Sequence, residues 1–207
     1  MFKKLLLVSM IISASSSIAF AGQSYKGEKD YKGEMAATPC PGFMAGPYLG
    51  LSIGDRTNFS GSPIVFKGID GNLSLGYGAL VSPSFYLAGE IFGIGTINVK
   101  DFTNVLSVNQ NVSAKSNWSY GISILPGYMI TDTVLGYIRG SAVETHFNGT
   151  NVNSNKTGWQ VGLGGQTSLA PNWDIRGEYL YTYYGNVSNA GKLNADQANL
   201  GVVYKFL

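Results

Sequence analysis

After residue 44 the chain repeats one pattern: runs of about ten residues in which apolar and polar side chains alternate, separated by polar or turn-rich connections. The clearest run interleaves Trp159, Val161 and Leu163 with Gly158, Gln160, Gly162, Gly164 and Gln166. Successive side chains of a strand point to opposite faces, so a period of two is the mark of a strand with an apolar medium on one side only. Eight such runs can be counted, an even number. An even set of strands, each with one continuous apolar face, predicts an all-β fold: a transmembrane antiparallel up-and-down β-barrel of eight strands.

The strands are expected at about 45–54, 65–79, 85–99, 117–129, 134–147, around Trp159, 172–184 and 195–206. Parity sorts their faces. Leu49, Leu51 and Ile53 share a face of the first, and Ile69, Leu73, Leu75 and Tyr77 point outward from the second against inward Asp70, Asn72 and Ser74. The third sets Phe85, Leu87, Ile91 and Ile97 against Glu90 and Thr96, and the fourth sets Trp118, Tyr120, Ile122, Ile124 and Tyr128 against Ser119 and Ser123. The fifth is the least regular. Arg139 is placed inward there because facing lipid near the midplane it would cost about 2–4 kcal/mol. The seventh alternates Trp173, Ile175, Tyr179, Tyr181 and Tyr183 with Asp174, Arg176 and Glu178, and the eighth alternates Leu200, Val202, Tyr204 and Phe206 with Asn199 and Lys205.

The connections alternate short and long. Ser82-Pro83-Ser84, Thr131-Asp132-Thr133 and Ala170-Pro171-Asn172 are tight turns, expected on the periplasmic side. The segments around 55–64, 100–116, 148–156 and 186–193 are longer and rich in Asn, Ser, Gly and Lys, and are expected as surface loops. Phe59, Phe102 and Val105 would be apolar anchors within them. In this orientation the outward aromatics form two belts, Trp118, Tyr120, Trp159, Tyr181 and Tyr183 near the outer rim and Tyr77, Phe85, Tyr128, Trp173, Tyr204 and Phe206 near the periplasmic rim.

The first 21 residues have the layout of a secretory signal: Lys3 and Lys4, an apolar run from Leu5 to Ile12, then Ala19-Phe20-Ala21. That apolar run is short against the roughly 20 residues a spanning helix needs, which disfavours a retained anchor. Cleavage after Ala21 would leave 12 basic residues, the 14 of the full chain less Lys3 and Lys4, against 12 acidic ones. A neutral chain has no basic stripe for nucleic acid. Residues 22–44 carry a tandem repeat, Tyr25-Lys26-Gly27-Glu28 and Tyr31-Lys32-Gly33-Glu34, then Pro39-Cys40-Pro41-Gly42, and are expected as a flexible periplasmic segment ahead of a barrel over 45–207. One cysteine, Cys40, makes no internal disulfide. Charged residues are only 13% of the chain, against about a quarter in soluble domains, as expected of a wall that excludes charge.

Inward parity gathers Asp70, Glu90, Arg139, Arg176, Glu178 and Lys205, three acids and three bases. An eight-stranded barrel is just wide enough for side chains to fill, so these predict a plug of ion pairs, with Glu90 and Glu178 as partners for the two arginines. A narrow gated path through the same network is the alternative. No catalytic site is expected. A carboxylate pair inside a filled lumen has no substrate pocket. The single histidine, His146, has Glu144 and Ser141 nearby but is followed by Phe147 and Asn148, so no His-x-Ser pair supports a lipid-modifying hydrolase. No metal or cofactor is expected either.

Four segments carry a resemblance: Gly127-Tyr128 before the Thr-Asp turn, Tyr137-Ile138-Arg139-Gly140, Arg176-Gly177-Glu178-Tyr179, and Leu200-Gly201-Val202-Val203-Tyr204-Lys205-Phe206. Over about residues 45–207 the chain resembles the opacity-protein and OmpA-type group of eight-stranded outer-membrane barrels. Its chains usually finish on the aromatic residue, whereas here Leu207 follows Phe206. The resemblance implies a surface antigen in the outer membrane of a Gram-negative bacterium, a monomeric scaffold set among outer-membrane lipid and lipopolysaccharide. Its loops would contact host surfaces or protein ligands, with a narrow channel and a lipid-modifying enzyme as the other readings.

Overall fold

The computed structural model describes residues 46–60, 64–101, 114–149, 152–187 and 191–206. Residues 1–21, expected as a signal, the segment 22–44 with Cys40, and Phe102 and Val105 lie outside the described residues. Eight strands follow in chain order: β1 (Gly46–Ser60), β2 (Ile64–Leu80), β3 (Phe85–Asp101), β4 (Ala114–Thr131), β5 (Val134–Gly149), β6 (Val152–Ala170), β7 (Trp173–Val187) and β8 (Gly191–Lys205). Each pairs antiparallel with its neighbours in sequence, and β1 also pairs with β8, so the sheet closes on itself with no free edge. Closure satisfies every backbone ladder internally, as a hydrocarbon environment requires.

The three short turns lie where the sequence places them. At the first, the Ser82 hydroxyl accepts from the Phe85 amide at 3.2 Å, and at the third, the Asn172 side chain donates to the Lys205 carbonyl at 2.8 Å, tying the turn edge of β8 to the β6–β7 turn. The opposite edge differs from expectation. Strand pairing runs on through most of the stretches read as loops: Phe59 belongs to β1 and pairs with Asn194 and Ile64, and Asn148 of β5 pairs with Asn153 of β6. Polar composition suggested loops, yet the ladders need only backbone partners and a strand leaving the apolar layer tolerates polar side chains on both faces. Gly185, in the left-handed region at φ 71°, marks the irregularity where β7 meets β8 near this edge.

The wall divides by parity. Leu51, Ile53, Leu73, Leu75, Ile91, Ile122, Ile124, Trp159, Val161, Leu163 and Leu200 face outward and are exposed, Trp159 by 70%. Such a continuous apolar surface is what lipid covers. The inward face, by contrast, is not uniformly polar. Tyr48, Tyr86, Ala88, Leu125, Leu135, Tyr137 and Val203 pack together toward the turn edge, and Phe92, Ile94, Val143, Phe147, Tyr184, Leu193 and Ala195 toward the opposite edge. This explains why β5 looked irregular: its inward face reads Leu135, Tyr137, Arg139, Ser141, Val143, Thr145, Phe147, apolar at both ends and polar in the middle. Inward glycines make room for the rings. A Cβ added at Gly76 would fall 2.6 Å from the Tyr48 hydroxyl, and one at Gly164 would strike the Tyr137 ring. These two tyrosines each lie across the glycine that faces them on the neighbouring strand.

A closed ladder of this kind predicts a circular dichroism spectrum of strand type and folded protein that migrates faster in detergent gels until boiled; a helix-dominated spectrum would contradict it.

Candidate functional site: the lumen and the outer face

Between the two apolar layers the lumen holds a connected set of charges. Glu90 on β3 is the node. Its carboxylate meets Arg176 of β7, lies 3.2 Å from Arg139 of β5, and accepts from the Tyr48 hydroxyl at 2.8 Å. Arg139 also donates through Nη1 to both oxygens of Glu178, at 2.9 and 3.0 Å, and Tyr137 donates to Glu178 at 2.7 Å. The chain continues toward the turn edge. Arg176 Nε donates to Gln166 at 3.0 Å, the Gln166 amide donates to Asp174 at 2.5 Å, and Lys205 lies 2.8 Å from the same carboxylate. The rings cover the guanidinium faces: Phe92 lies 4.8 Å from Arg139, and Tyr48 lies 5.3 Å from Arg176.

A second cluster sits nearer the other edge. Arg56 of β1 is 2.8 Å from Asp70 of β2 and donates to Gln197 at 3.3 Å. Ser119, Thr145 and Tyr184 continue it in a hydroxyl chain with spacings of 2.8 and 3.0 Å. Arg56 lies beyond the expected end of the first strand at 54, whereas β1 runs on to Ser60 and carries it into the lumen. The signal was available, since the alternation continues through Ser52, Gly54, Arg56 and Asn58 to the buried side.

Of the residues singled out from sequence, Glu90, Arg139, Arg176 and Glu178 meet in one group, Lys205 joins it through Asp174, and Asp70 stands apart with Arg56. Among the described residues Arg56 and Asp174 raise the buried charges to four acids and four bases, which balance. A cavity of about 10 Å³ beside Arg139, Arg176 and Glu178 is room for about one water molecule.

The aromatics named as belts all face outward. Trp118 stacks on Tyr120, with ring centres 5.6 Å apart, and Trp173, Tyr204 and Phe206 form edge-on contacts of 4.9 and 5.1 Å beside the turn edge. His146 stacks on Trp118 at 5.5 Å and its Nδ1 is 2.7 Å from Asn155 Oδ1. Ser141 is buried on the lumen side, across the wall from His146, so the two cannot act as nucleophile and base. Among the described residues no group of three or more His, Cys, Asp or Glu could hold a metal ion.

A closed eight-stranded ladder with an apolar exterior and a charge-neutral, side-chain-filled interior defines a transmembrane β-barrel. The chain belongs to the family of the outer membrane protein beta-barrel domain, whose model matches residues 33–206, and it is an outer-membrane protein of the Gram-negative type. It is 26% identical over 211 residues to the 25 kDa outer-membrane immunogenic protein of Brucella ovis, covering 99% of this chain and 98% of that one. Against the 31 kDa outer-membrane immunogenic protein of Brucella melitensis it is 24% identical over 182 residues, 77% of this chain and 76% of that one. Among solved structures, Ail, the attachment invasion locus protein of Yersinia pestis, in complex with the heparin analogue sucrose octasulfate, shares the fold with a TM-score of 0.54 at 16% identity, over 79% of this chain and 99% of that one.

Proposed function

We propose that this protein is a non-enzymatic, monomeric surface scaffold, exported by residues 1–21, whose barrel presents its strand-extension edge and the connections there to a partner on a host surface. The short turns and the segment 22–44 lie on the periplasmic side in this reading. One observation carries it: the lumen is spanned by two apolar layers with a neutral ion-pair network between them, which leaves little to conduct. With the wall given to lipid and the interior to its own pairs, the outer edge is the surface left for recognition, and connections on a rigid frame are where recognition concentrates. The names of the relatives, immunogenic proteins and an attachment protein seen with a heparin analogue, support a surface role.

The longest connection, residues 102–113, supplies Phe102, Val105 and Leu106 among Asn, Ser and Gln, a mixture of apolar anchors and adaptable polar groups. Replacing 102–113 by a two-residue Asn-Gly turn should leave a heat-modifiable barrel while cell attachment to host surfaces falls about tenfold, the equivalent of 1.4 kcal/mol. Unchanged attachment would overturn the reading. Steady unitary conductance across a planar bilayer would favour the narrow channel instead.

A further inference from the structure

Every neighbouring pair of strands joins the ring, but two of the eight seams stop short of the strand-extension edge. β3 and β4 pair from Phe85 with Tyr128 only as far as Gly95 with Trp118, and β6 and β7 from Ala170 with Trp173 only as far as Trp159 with Tyr183. The other flanks of the same strands stay paired: β4, β5 and β6 run together out to Ala114, Gly149 and Val152, and β7 stays with β8 to Val187. The connection 102–113 joins β3 to β4 across the first seam. β6 and β7 are joined at the turn edge, so no connection between them bridges the second.

Gly185 accounts for this second opening. Its left-handed backbone, at φ 71°, shifts the register of β7 on β8 just after Tyr183, the last β7 residue paired to β6. Tyr184 turns inward there, its hydroxyl 3.0 Å from that of Thr145. Beyond this point, among the described residues, β6 has no backbone partner on its β7 side from Val152 to Gly158. Seven extended residues span roughly 20 Å, with about half of their N–H and C=O groups aimed into the seam. They hold strand geometry with one neighbour alone. Asn155 donates to Glu144 at 3.0 Å and meets His146 at 2.7 Å, and His146 stacks on Trp118, so side chains tie β6 to β5 and β5 to β4.

We propose that the open flank of β6, Val152–Gly158, takes an extended acidic segment of a partner protein as an added strand. An unpaired strand is a template for another chain: main-chain bonds supply the affinity, and alternate side chains the selectivity. A flank already held in strand geometry spares part of the ordering cost of binding. Charge selects the partner. Lys156 is the one charged residue of Val152–Gly158, and Tyr184–Val187 across the seam carries none. By parity Lys156 shares the lumen-facing side of Gln160, whereas Glu144 lies on the outward side with Thr157, so a carboxylate entering beside Lys156 meets a cation. A second copy in the same membrane fits less well, because its β6 runs in the same direction and would pair only in the weaker parallel ladder. The proposal rests on the reading of this edge as the recognition surface for where the partner is met; strand addition in vitro is read independently of it.

The test is fluorescence anisotropy on the refolded full chain in detergent, offered labelled peptides that alternate Thr and Val around a central Glu or a central Lys. A third peptide is the Glu form N-methylated at every residue, which keeps the side chains and removes the ladder donors. The Glu peptide is expected to bind about tenfold more tightly than its N-methylated form and about threefold more tightly than the Lys peptide, the size of one exposed ion pair. Lys156→Glu should reverse the order of the Glu and Lys peptides. Lys67→Glu, on β2 and paired on both flanks, should keep it. Amide exchange across Val152–Gly158 should slow when the Glu peptide is added. Equal binding of the N-methylated form, an order unchanged in the Lys156→Glu variant, or protection gained only elsewhere would each overturn the proposal. Host attachment lost with 102–113 while no peptide binds would overturn strand addition and leave the surface reading standing; peptide binding with attachment unchanged would support strand addition and overturn that reading.

Discussion

Replacing Glu90 with leucine is expected to destabilise the barrel by about 3–5 kcal/mol, the cost of removing one partner from a buried ion pair. Glu90 is where two arginines of the network meet, with Arg176 and Arg139 on its carboxylate and the Tyr48 hydroxyl donating to it at 2.8 Å. Without it, Arg139 keeps Glu178, but Arg176 is left with the neutral Gln166 and the rings of Tyr48 and Tyr137, and among the described residues four buried bases face three acids. Denaturant unfolding followed by the gel shift measures the loss. Combining the change with Arg176→Met restores neutrality and should recover part of it, and the double-mutant cycle isolates the pair. A loss below about 1 kcal/mol for the single variant would mean a wet, screened interior, since exposed pairs contribute only about that much.

Gly164→Val is expected to cost about 3 kcal/mol or more, by a different route. The added side chain strikes the Tyr137 ring, which lies directly across it, and displaces the Tyr137 hydroxyl from Glu178. Overpacking alone costs about 1–3 kcal/mol, and a buried carboxylate that loses a donor adds about 1–3 kcal/mol. Gly165→Ala, one residue on and facing outward into open space, should stay within about 0.5 kcal/mol of the unmodified chain. Comparable thermal midpoints for the two variants would show that the tyrosine does not depend on its glycine.

These two residues also mark how far sequence reasoning reaches. Parity along a strand tells which wall a side chain faces, and for Trp159, Val161 and Leu163 the outward medium itself keeps the alternation clean. Parity does not tell which strand end meets which, so the partnership of Arg139 with both Glu90 and Glu178 needs the register of five strands, β3 to β7, at once. It also fails where both walls accept the same chemistry. The inward face of β5 begins with Leu135 and Tyr137 and ends with Phe147, so neither of its ends alternates against the apolar exterior. The strand ends opposite the short turns failed for the complementary reason, because polar runs such as Arg56-Thr57-Asn58 or Asn153-Ser154-Asn155 look like loop in sequence although the backbone ladders continue. The inward tyrosines were hidden by belonging to a residue type that also lines the exterior, and what distinguishes Tyr48 and Tyr137 is the glycine opposite each, a cross-strand relation.

The ion pairs of the lumen join β1 to β2, β3 to β5, β3 to β7, β5 to β7 and β7 to β8. Three of the five span strands that are not neighbours, and the Glu90–Arg176 pair reaches the opposite wall, so it comes into being only when the sheet has curled that far. A half-curled sheet carries these charges in an open, hydrated trough. An interaction made only after the folding transition state slows unfolding rather than hastening folding. The neutral interior therefore acts as a latch: once the last strand seals against the first, the barrel's lifetime in the membrane is set by how seldom all these contacts part together.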